Sequence, residues 1–159
     1  MQKHLFLCRH GQTPEATNNQ KDFDRQLSHT GIKEAQAAAN FILDFKLKTE
    51  VIFCSSAQRT LKTAEIIATV NNFPINQIKS ARNLYNAATT ELLRTISSLP
   101  TAVNVAIVVG HNPAVSELAS TLIGNHRRQV PTGGCCYFSF NGTEWAALEW
   151  IDIKYKLSF

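Results

Sequence analysis

Three short apolar segments, spaced widely along the chain, restrict the folds open to it most strongly. They are residues 4–8 (HLFLC), 51–54 (VIFC) and 103–109 (VNVAIVV). Short, partly β-branched runs of this kind are typical of strands that are buried on both faces of a parallel sheet. Parallel strands must be joined by crossover connections, which are usually helices. The sequence therefore predicts an α/β fold.

The segments between and after these runs support that prediction, because their apolar residues recur at helical spacing. A Thr or Asn before such a segment and a Gly after it are typical of helix ends, and Pro is favoured at the first helical position. The predicted helices are 31–45, with Thr30 as N-cap; 57–70; 90–98, with Thr89 as N-cap; and 113–122, with Asn112 as N-cap, Pro113 at the first position and Gly124 at the end.

The last part of the chain changes character. Residues 135–140 (CCYFSF) and 143–153 (TEWAALEWIDI) flank Asn141-Gly142, and Asn-Gly favours a two-residue type I′ turn. We therefore predict a β-hairpin. Because the chain contains no repeat, low-complexity stretch or linker, residues 1–159 are expected to form one domain. Its predicted architecture is a three-layer α/β/α sandwich, with a mostly parallel sheet that ends in an antiparallel C-terminal hairpin.

Composition and charge argue against several classes of partner. The 159 residues carry 16 Lys and Arg against 12 Asp and Glu, and the basic residues are scattered. The chain therefore lacks the basic tract of a nucleic-acid-binding tail. No apolar run approaches the roughly 18 residues of a membrane-spanning helix, and the run before Arg9 is too short for a signal peptide. We expect a cytoplasmic protein with neither a nucleic-acid nor a membrane partner.

The residue types that bind metals occur without the spacing of a metal site. The cysteines form no CxxC pair and lie in strand-like apolar runs, which favours buried thiols in a reducing compartment. Asp22 and Asp24 have no third carboxylate or histidine at suitable spacing, so a loop role is predicted for them. We expect no metal and no cofactor. The cysteines are Cys8, Cys54, Cys135 and Cys136.

Cationic and imidazole side chains follow the predicted strands at their carboxyl ends. Arg9 and His10 follow the first strand, Arg59 lies just beyond the second, and His111 follows the third. In an open parallel sheet these ends line the ligand crevice. Two guanidinium groups in one crevice repel each other unless an anion joins them, and arginine suits bidentate contacts with phosphate oxygens. The predicted ligand is a phosphoryl group.

The surroundings of such a group favour covalent catalysis. Helix N-termini after residues 56 and 112 add backbone N–H donors, and Gly11 permits a close backbone approach or a positive φ. Neighbouring cations lower the pKa of a histidine, which keeps His10 neutral and nucleophilic. A second, charged histidine, His111, can donate to a phosphoryl oxygen. Transfer through a phosphohistidine is then a natural scheme.

Several motifs in order resemble the histidine phosphatase superfamily, which has the phosphoglycerate mutase-like fold. They are Arg9-His10-Gly11 after a strand, Arg59 in SSAQRTLKTAE and His111 in VVGHNP. The stretches DRQLSHTGIKEAQ and NLYNAATTELL, together with the small size, resemble its SixA-type branch, the phosphohistidine phosphatases. The resemblance extends from residue 4 to about residue 140.

The resemblance implies a role for each matching position. His10 is the expected nucleophile, and Arg9, Arg59 and His111 are expected to bind and polarise the phosphoryl group. At the rim, Arg25 is expected to touch substrate and Thr13 to add a hydroxyl donor. The turn Pro131-Thr132-Gly133-Gly134 is either only a turn or, by analogy with the superfamily, part of the site's surroundings.

One departure from the superfamily pattern bears on the substrate. Many members carry a glutamate general acid in a stretch that here reads Leu84-Tyr85-Asn86. An alkoxide leaving group needs such an acid, whereas the imidazole of a phosphohistidine is itself readily protonated. The departure favours phosphohistidine, although Glu15 or Glu91 can replace the acid if the fold brings either one close. Short predicted connections, with no deep lid, favour a phosphorylated protein as partner.

Other functions compete with this interpretation. A small-molecule phosphomonoesterase or mutase of the same superfamily is one, and a phosphate-binding module without turnover is another. A cysteine phosphatase is rejected, since Cys54 and Arg59 are separated by four residues without a glycine, one fewer than that chemistry needs. The chain also lacks a GxxxxGK[ST] phosphate loop.

Overall fold

Six strands form one sheet at the centre of the protein. The computed structural model describes residues 1–125, 127–149 and 153–159. The strand order is β3-β2-β4-β1-β5-β6; β1 to β4 run parallel, and β5 and β6 close one edge in antiparallel pairs. The strands are β1 (Gln2–Arg9), β2 (Val51–Ser55), β3 (Lys79–Ala81), β4 (Val105–Gly110), β5 (Cys135–Asn141) and β6 (Lys154–Leu157).

Four helices cover the two faces of this sheet, which gives the predicted three-layer α/β/α arrangement. They are α1 (His29–Leu43), α2 (Gln58–Val70), α3 (Thr89–Ser97) and α4 (Ala114–Ile123). Alternate residues of β1 point to opposite layers: Phe6 packs in the core beneath α1 and α2, and Leu7 packs in the core beneath α3 and α4. The α/β fold is therefore confirmed.

The register of the parallel strands aligns the carboxyl ends of β1, β2 and β4. Arg9 of β1 is paired with Gly110 of β4, and Cys54 of β2 with Val109 of β4. Every residue of β4 is buried, as expected for a central strand with helices on both faces. The segments that follow β1, β2 and β4 therefore emerge side by side from one edge of the sheet.

The predicted N-caps of α1 and α3 differ from those in the structure. Ser28, rather than Thr30, caps α1: its hydroxyl accepts the N–H of Gly31 at 3.0 Å. Thr89 is the first residue of α3 and not its cap. Several polar residues lie close together at each start, and propensity alone does not choose among them.

The start of α4 also differs by one residue, while its end is as predicted. Pro113, predicted at the first helical position, occupies the N-cap instead. Asn112 still caps the first turn, since its side-chain oxygen accepts two hydrogen bonds from Ser116. One comes from the Ser116 N–H at 3.2 Å and the other from the Ser116 hydroxyl at 2.8 Å. Gly124 ends the helix in the left-handed conformation, with φ of 72°, which glycine adopts without a Cβ penalty.

The predicted C-terminal hairpin is wrong in its turn and in its second strand. The Gly142 N–H donates to the Met1 carbonyl at 2.9 Å, so the chain continues alongside β1 instead of turning back. Trp145–Glu149 then forms a 3-10 helix. Trp145 and Leu148, three residues apart, are both fully buried, and this spacing suits a helical turn better than strand alternation. Residues 150–152 of the predicted strand lie outside the described residues.

The antiparallel partner of β5 comes later in the sequence. β6 pairs with it in a register that opposes Cys136 to Leu157. β3 was not predicted either, because its three residues, KSA, form a short and partly exposed edge strand without an apolar pattern. All four cysteines are free and buried, as expected. Among the described residues, no helix has the length and apolarity needed to cross a bilayer.

Candidate active site

The edge of the sheet at the carboxyl ends of β1, β2 and β4 carries two histidines in close contact. The ring centroids of His10 and His111 lie 5.2 Å apart, with an interplanar angle of 63°. Each residue is only 8% exposed. The guanidinium groups of Arg59 and Arg9 are near enough to affect the charge of both rings. The structure thus brings together the four residues singled out at the strand ends.

Hydrogen bonds fix the orientation and the tautomer of His10. Its Nδ1 lies 2.7 Å from the carbonyl oxygen of Gly11. Because a carbonyl only accepts, Nδ1 carries the hydrogen, and the lone pair of Nε2 is left free. The backbone is held on both sides: the His10 N–H donates to Gly110 at 3.1 Å, and the His10 carbonyl accepts from Gly133 at 2.9 Å. His10 is therefore a preorganised neutral imidazole.

The electrostatics of the site keep His10 uncharged at neutral pH. Burial lowers its pKa to about 4 from an ordinary value of 6.5, and the positive charges of Arg59, Arg9 and Arg25 act in the same direction. The hydrogen bond to Gly11 opposes them without overcoming them. Neighbouring cations were expected to lower this pKa; the larger cause is burial, which disfavours the charged form.

His111 is held by a short chain of hydrogen bonds. The Ala57 N–H donates to the Ser55 hydroxyl at 3.2 Å, and that hydroxyl lies 2.8 Å from Nε2 of His111. The Nδ1 of His111 is buried and has no hydrogen-bond partner in the described part of the chain. When the ring is protonated, this Nδ1 carries a hydrogen and is a donor.

The charge state of His111 differs from expectation. Burial lowers its pKa to about 3, with additional lowering by His10 and Arg59. In the free protein His111 is therefore neutral at pH 7, whereas a charged histidine was expected. An arriving anion favours the protonated form, in which both ring nitrogens are donors.

Glycines allow the loop after β1 to pack tightly behind the site. The Gly11 N–H donates to the Thr63 hydroxyl of α2 at 3.1 Å, and that hydroxyl donates to the Arg59 carbonyl at 2.8 Å. A Cβ on Gly11 would overlap the backbone of Gly31 in α1. Gly11 is therefore required for a close approach, and not for a positive φ.

Arg9 is anchored to the turn that precedes β5. Its Nη1 donates to the Val130 carbonyl at 3.1 Å, and its backbone N–H donates to Gly134 at 3.0 Å. Its Nε is buried without a partner among the residues described. The turn Pro131–Gly134 thus lies against the candidate nucleophile and its neighbour, in agreement with the superfamily analogy.

Arg59 and Arg25 meet at one carboxylate. Arg59, which is 6% exposed, donates from Nη1 to the Asp22 carbonyl at 2.6 Å and from Nη2 to the Asp22 carboxylate at 3.0 Å. Arg25 donates to the same carboxylate at 3.2 Å and to the Thr13 hydroxyl at 2.5 Å. Both predicted rim residues, Arg25 and Thr13, are therefore joined to the arginine cluster.

The sequence did not indicate that Asp22 and Tyr85 contact the residues of the candidate site. Asp22 lies in a 3-10 helix, Asp22–Asp24, and the Tyr85 hydroxyl donates to its carboxylate at 2.7 Å. The Tyr85 ring also lies against His111, with centroids 5.8 Å apart. A lone aspartate and a lone tyrosine in loop-like segments carry no periodic signal, and only the fold brings them together.

The position of the missing general acid, Asn86, and its two candidate replacements, Glu91 and Glu15, are exposed or engaged in other contacts. Asn86 is exposed and has φ of 53°. Glu91 accepts from Asn83 at 2.6 Å and pairs with Arg94 at 3.0 Å. Glu15 is exposed. In residues 1–125, 127–149 and 153–159, no group of three or more His, Cys, Asp or Glu side chains is arranged to hold a metal ion.

Comparison with known proteins agrees with this geometry. The profile of the histidine phosphatase superfamily (branch 1) matches residues 5–92, which is more than half of the chain. An uncharacterized protein of Mycobacterium leprae is 26% identical over 137 residues, which cover 80% of this chain and 81% of that protein.

Solved structures share the fold across almost the whole chain. A structure from Agrobacterium tumefaciens named as the phosphohistidine phosphatase SixA is 27% identical, covers 86% of this chain and 90% of its own, and has a TM-score of 0.78. The protein histidine phosphatase SixA in complex with tungstate has a TM-score of 0.79 at 19% identity, with 96% and 94% covered, and shares the fold. The chain belongs to the histidine phosphatase superfamily, and its structural relatives include SixA proteins.

Proposed function

We propose that the protein hydrolyses the phosphoryl group of a phosphohistidine on a partner protein, through a covalent phosphohistidine intermediate on His10. Membership of the superfamily supports phosphatase activity. The observation that carries the proposal is the state of His10: a buried neutral imidazole, with Nδ1 hydrogen-bonded to Gly11 and Nε2 free, among Arg9, Arg59 and His111.

In the first step Nε2 of His10 attacks phosphorus. The new N–P bond forms as the bond to the leaving nitrogen breaks, and the electron pair of that bond goes to the leaving group. The Nδ1–H bond to the Gly11 carbonyl, 2.7 Å long, supports the positive charge that develops on the His10 ring. In the second step water attacks phosphorus, which releases phosphate and restores neutral His10.

The arginines and His111 stabilise the transferred group. Phosphoryl transfer depends on positioning and charge stabilisation more than on covalent machinery. Arg9 and Arg59 supply guanidinium donors, and His111, protonated beside the bound anion, supplies the N–H of its Nδ1, which has no partner among the described residues. The N-terminus of α2, where Ala57 has no side-chain acceptor to cap it, adds backbone donors.

The leaving group decides between substrate classes. With Asn86 where many relatives have an acid, an alkoxide has no evident proton source in the described site, whereas an imidazole brings its own proton. The side chain of Asp22, at the outer edge of the cluster, is 48% exposed, so the site is open enough for a side chain on a protein surface. We propose a cytoplasmic phosphoprotein as the partner, with catalysis that needs no metal.

A small-molecule phosphomonoesterase or mutase remains the second candidate, since one curated relative is a phosphoglycerate mutase from Staphylococcus epidermidis, 38% identical over 65 residues. That match covers 40% of this chain and 28% of the mutase. The third candidate, a phosphate-binding module without turnover, is disfavoured by the free Nε2 of His10.

Turnover of competing substrates tests the proposal. A histidine-phosphorylated carrier protein, 3-phosphoglycerate and a hexose phosphate are offered at equal concentration, and phosphate release is measured. We expect kcat/KM for the phosphoprotein to exceed the other two values by at least about tenfold, with no release by His10→Ala. Preference for either small ester would favour the phosphomonoesterase, and wild-type protein without any turnover would favour the binding module.

A further inference from the structure

One carboxylate lies at the edge of an otherwise cationic site. Asp22 accepts hydrogen bonds from Nη2 of Arg59 at 3.0 Å, from the Tyr85 hydroxyl at 2.7 Å and from Nη1 of Arg25 at 3.2 Å. A carboxylate offers about four acceptor positions. Three donors leave about one position free, on a side chain that is 48% exposed while that of Arg59 is 7% exposed.

The charge of Asp22 is permanent near neutral pH. The hydrogen bond from Tyr85, followed by those from Arg59 and Arg25, lowers its pKa to about 2, although partial burial acts in the opposite direction. Asp22 therefore cannot serve as the missing proton donor. A fixed negative charge beside a phosphoryl site repels the anion that the arginines attract. A favourable contact between Asp22 and another part of the substrate would compensate for this repulsion.

Its position matches the leaving-group side of the reaction. His10, His111 and Arg59 are nearly buried, whereas the Asp22 side chain that accepts from Arg59 is 48% exposed. A nucleophile and its leaving group are roughly in line across the phosphorus. Because the candidate nucleophile is nearly buried, we place the leaving group on the exposed side of the site, where the Asp22 carboxylate can meet it.

We propose that Asp22 is a specificity-determining residue whose carboxylate accepts a hydrogen bond from the non-phosphorylated ring nitrogen of the substrate phosphohistidine. This inference rests on the proposed function. The acceptor holds the substrate ring in its protonated, cationic form. When the P–N bond breaks, its electron pair returns to the ring nitrogen and the ring leaves as neutral imidazole, which keeps its proton on the other nitrogen.

The same carboxylate discriminates against phosphomonoesters. Their leaving oxygen becomes more negative as the P–O bond breaks, and it carries no proton for Asp22 to accept. Repulsion from Asp22 therefore disfavours the transition state of phosphomonoester hydrolysis. The contact between Asp22 and the substrate imidazolium favours the transition state of phosphohistidine hydrolysis. Because Asn86 supplies no acid, the substrate preference comes instead from the Asp22 carboxylate, which is an acceptor on a different segment.

Asp22→Asn tests the inference because it removes the charge and keeps the shape. Wild type and variant are compared on a phosphohistidine peptide and on p-nitrophenyl phosphate, whose leaving group needs no acid. We expect kcat/KM for the peptide to fall by roughly 10- to 100-fold more than for the ester, the range of one charge-assisted hydrogen bond. Asp22→Glu, which keeps a carboxylate, should retain more of the peptide preference than Asp22→Asn.

Asp24→Asn is the matched control, since Asp24 lies on the same 3-10 helix, is exposed and has no side-chain bond among the described residues. It should leave both activities unchanged. An equal fall on both substrates with Asp22→Asn means that Asp22 only positions Arg59, which overturns the inference and leaves the proposed function intact. If wild type hydrolyses p-nitrophenyl phosphate but no phosphohistidine peptide, the proposed function fails, and the inference with it.

Discussion

At the scale of single residues, the site depends on two histidines that are neutral at pH 7, although histidine usually titrates near neutrality. His10 is neutral because it is buried among guanidinium groups, and its tautomer is set by one backbone carbonyl at 2.7 Å. A free Nε2 is the lone pair that covalent phosphoryl transfer requires. The neighbouring His111 has the reverse task, because its protonated ring is a donor and its Nδ1 has no partner among the described residues.

The titration of His10 follows from this environment. In the absence of phosphate, the His10 ring resonances should titrate with a midpoint near pH 4, well below the ordinary value of about 6.5. Proton NMR of the histidine ring signals, assigned with His10→Gln, measures this midpoint. A His10 midpoint at 6 or above would contradict the electrostatic account.

The same shift predicts how acid affects stability. A histidine whose folded pKa is lowered binds its proton more readily in the unfolded chain. The free energy of unfolding should therefore be unaffected by His10 above about pH 6.5 and should fall as the pH drops from there towards 4. His10→Gln, measured by urea unfolding across this range, should show a shallower fall than wild type.

At the scale of elements, the strand ends and the short loop after β1 determine the geometry of the site. The parallel register of β1, β2 and β4 aligns three polar segments. α1 then approaches so closely that a Cβ on Gly31 would overlap the Gln12 backbone, and the Ser28 N–H donates to the Gln12 carbonyl at 2.9 Å. The start of this helix therefore fixes the loop that follows His10 and Gly11.

Gly31→Ala tests that packing. The added methyl group meets backbone, which cannot move aside as a flexible side chain can, so we expect a loss of roughly 1–3 kcal/mol in unfolding free energy. We also expect kcat to fall, because the loop beside His10 must shift. Thermal unfolding and p-nitrophenyl phosphate turnover measure the two effects. Lys33→Ala, at an exposed position of the same helix, is the control; equal behaviour of the two variants would show that the close approach does not matter.

The elements also show how far sequence reasoning extends. The three apolar runs and the residues after them were enough to predict β1, β2 and β4 at the centre of the sheet and to bring Arg9, His10, Arg59 and His111 together, because strand ends in a parallel sheet converge by topology. The antiparallel C-terminal pair was predicted, but its turn and second strand were wrong, because the Gly142 N–H donates to the Met1 carbonyl and the buried Trp145 and Leu148 form a helical turn.

Long-range contacts without periodicity account for what the sequence did not reveal about the site. Tyr85 reaches Asp22 across 63 positions of sequence. Such a contact depends on where two irregular segments cross, and neither segment carries a pattern that specifies the crossing.

At the scale of the whole molecule, a single twisted sheet concentrates the chemistry at one edge. Two helices on each face bury the central strands, and the edge where β1, β2 and β4 end is left as the crevice. The side chains become more exposed from His10 outward to Asp22. In the proposed mechanism, this gradient provides a buried nucleophile, a cationic site for the phosphoryl group and an open side for the leaving group.

Trapping the phosphorylated enzyme tests the central claim most directly. The protein is mixed briefly with a ³²P-labelled, histidine-phosphorylated carrier protein and quenched, and the label is mapped by proteolysis. The account predicts an acid-labile, base-stable phosphate on His10, absent from His10→Gln and unaffected in His29→Gln. Label on any other residue, or full turnover by His10→Gln, would contradict it.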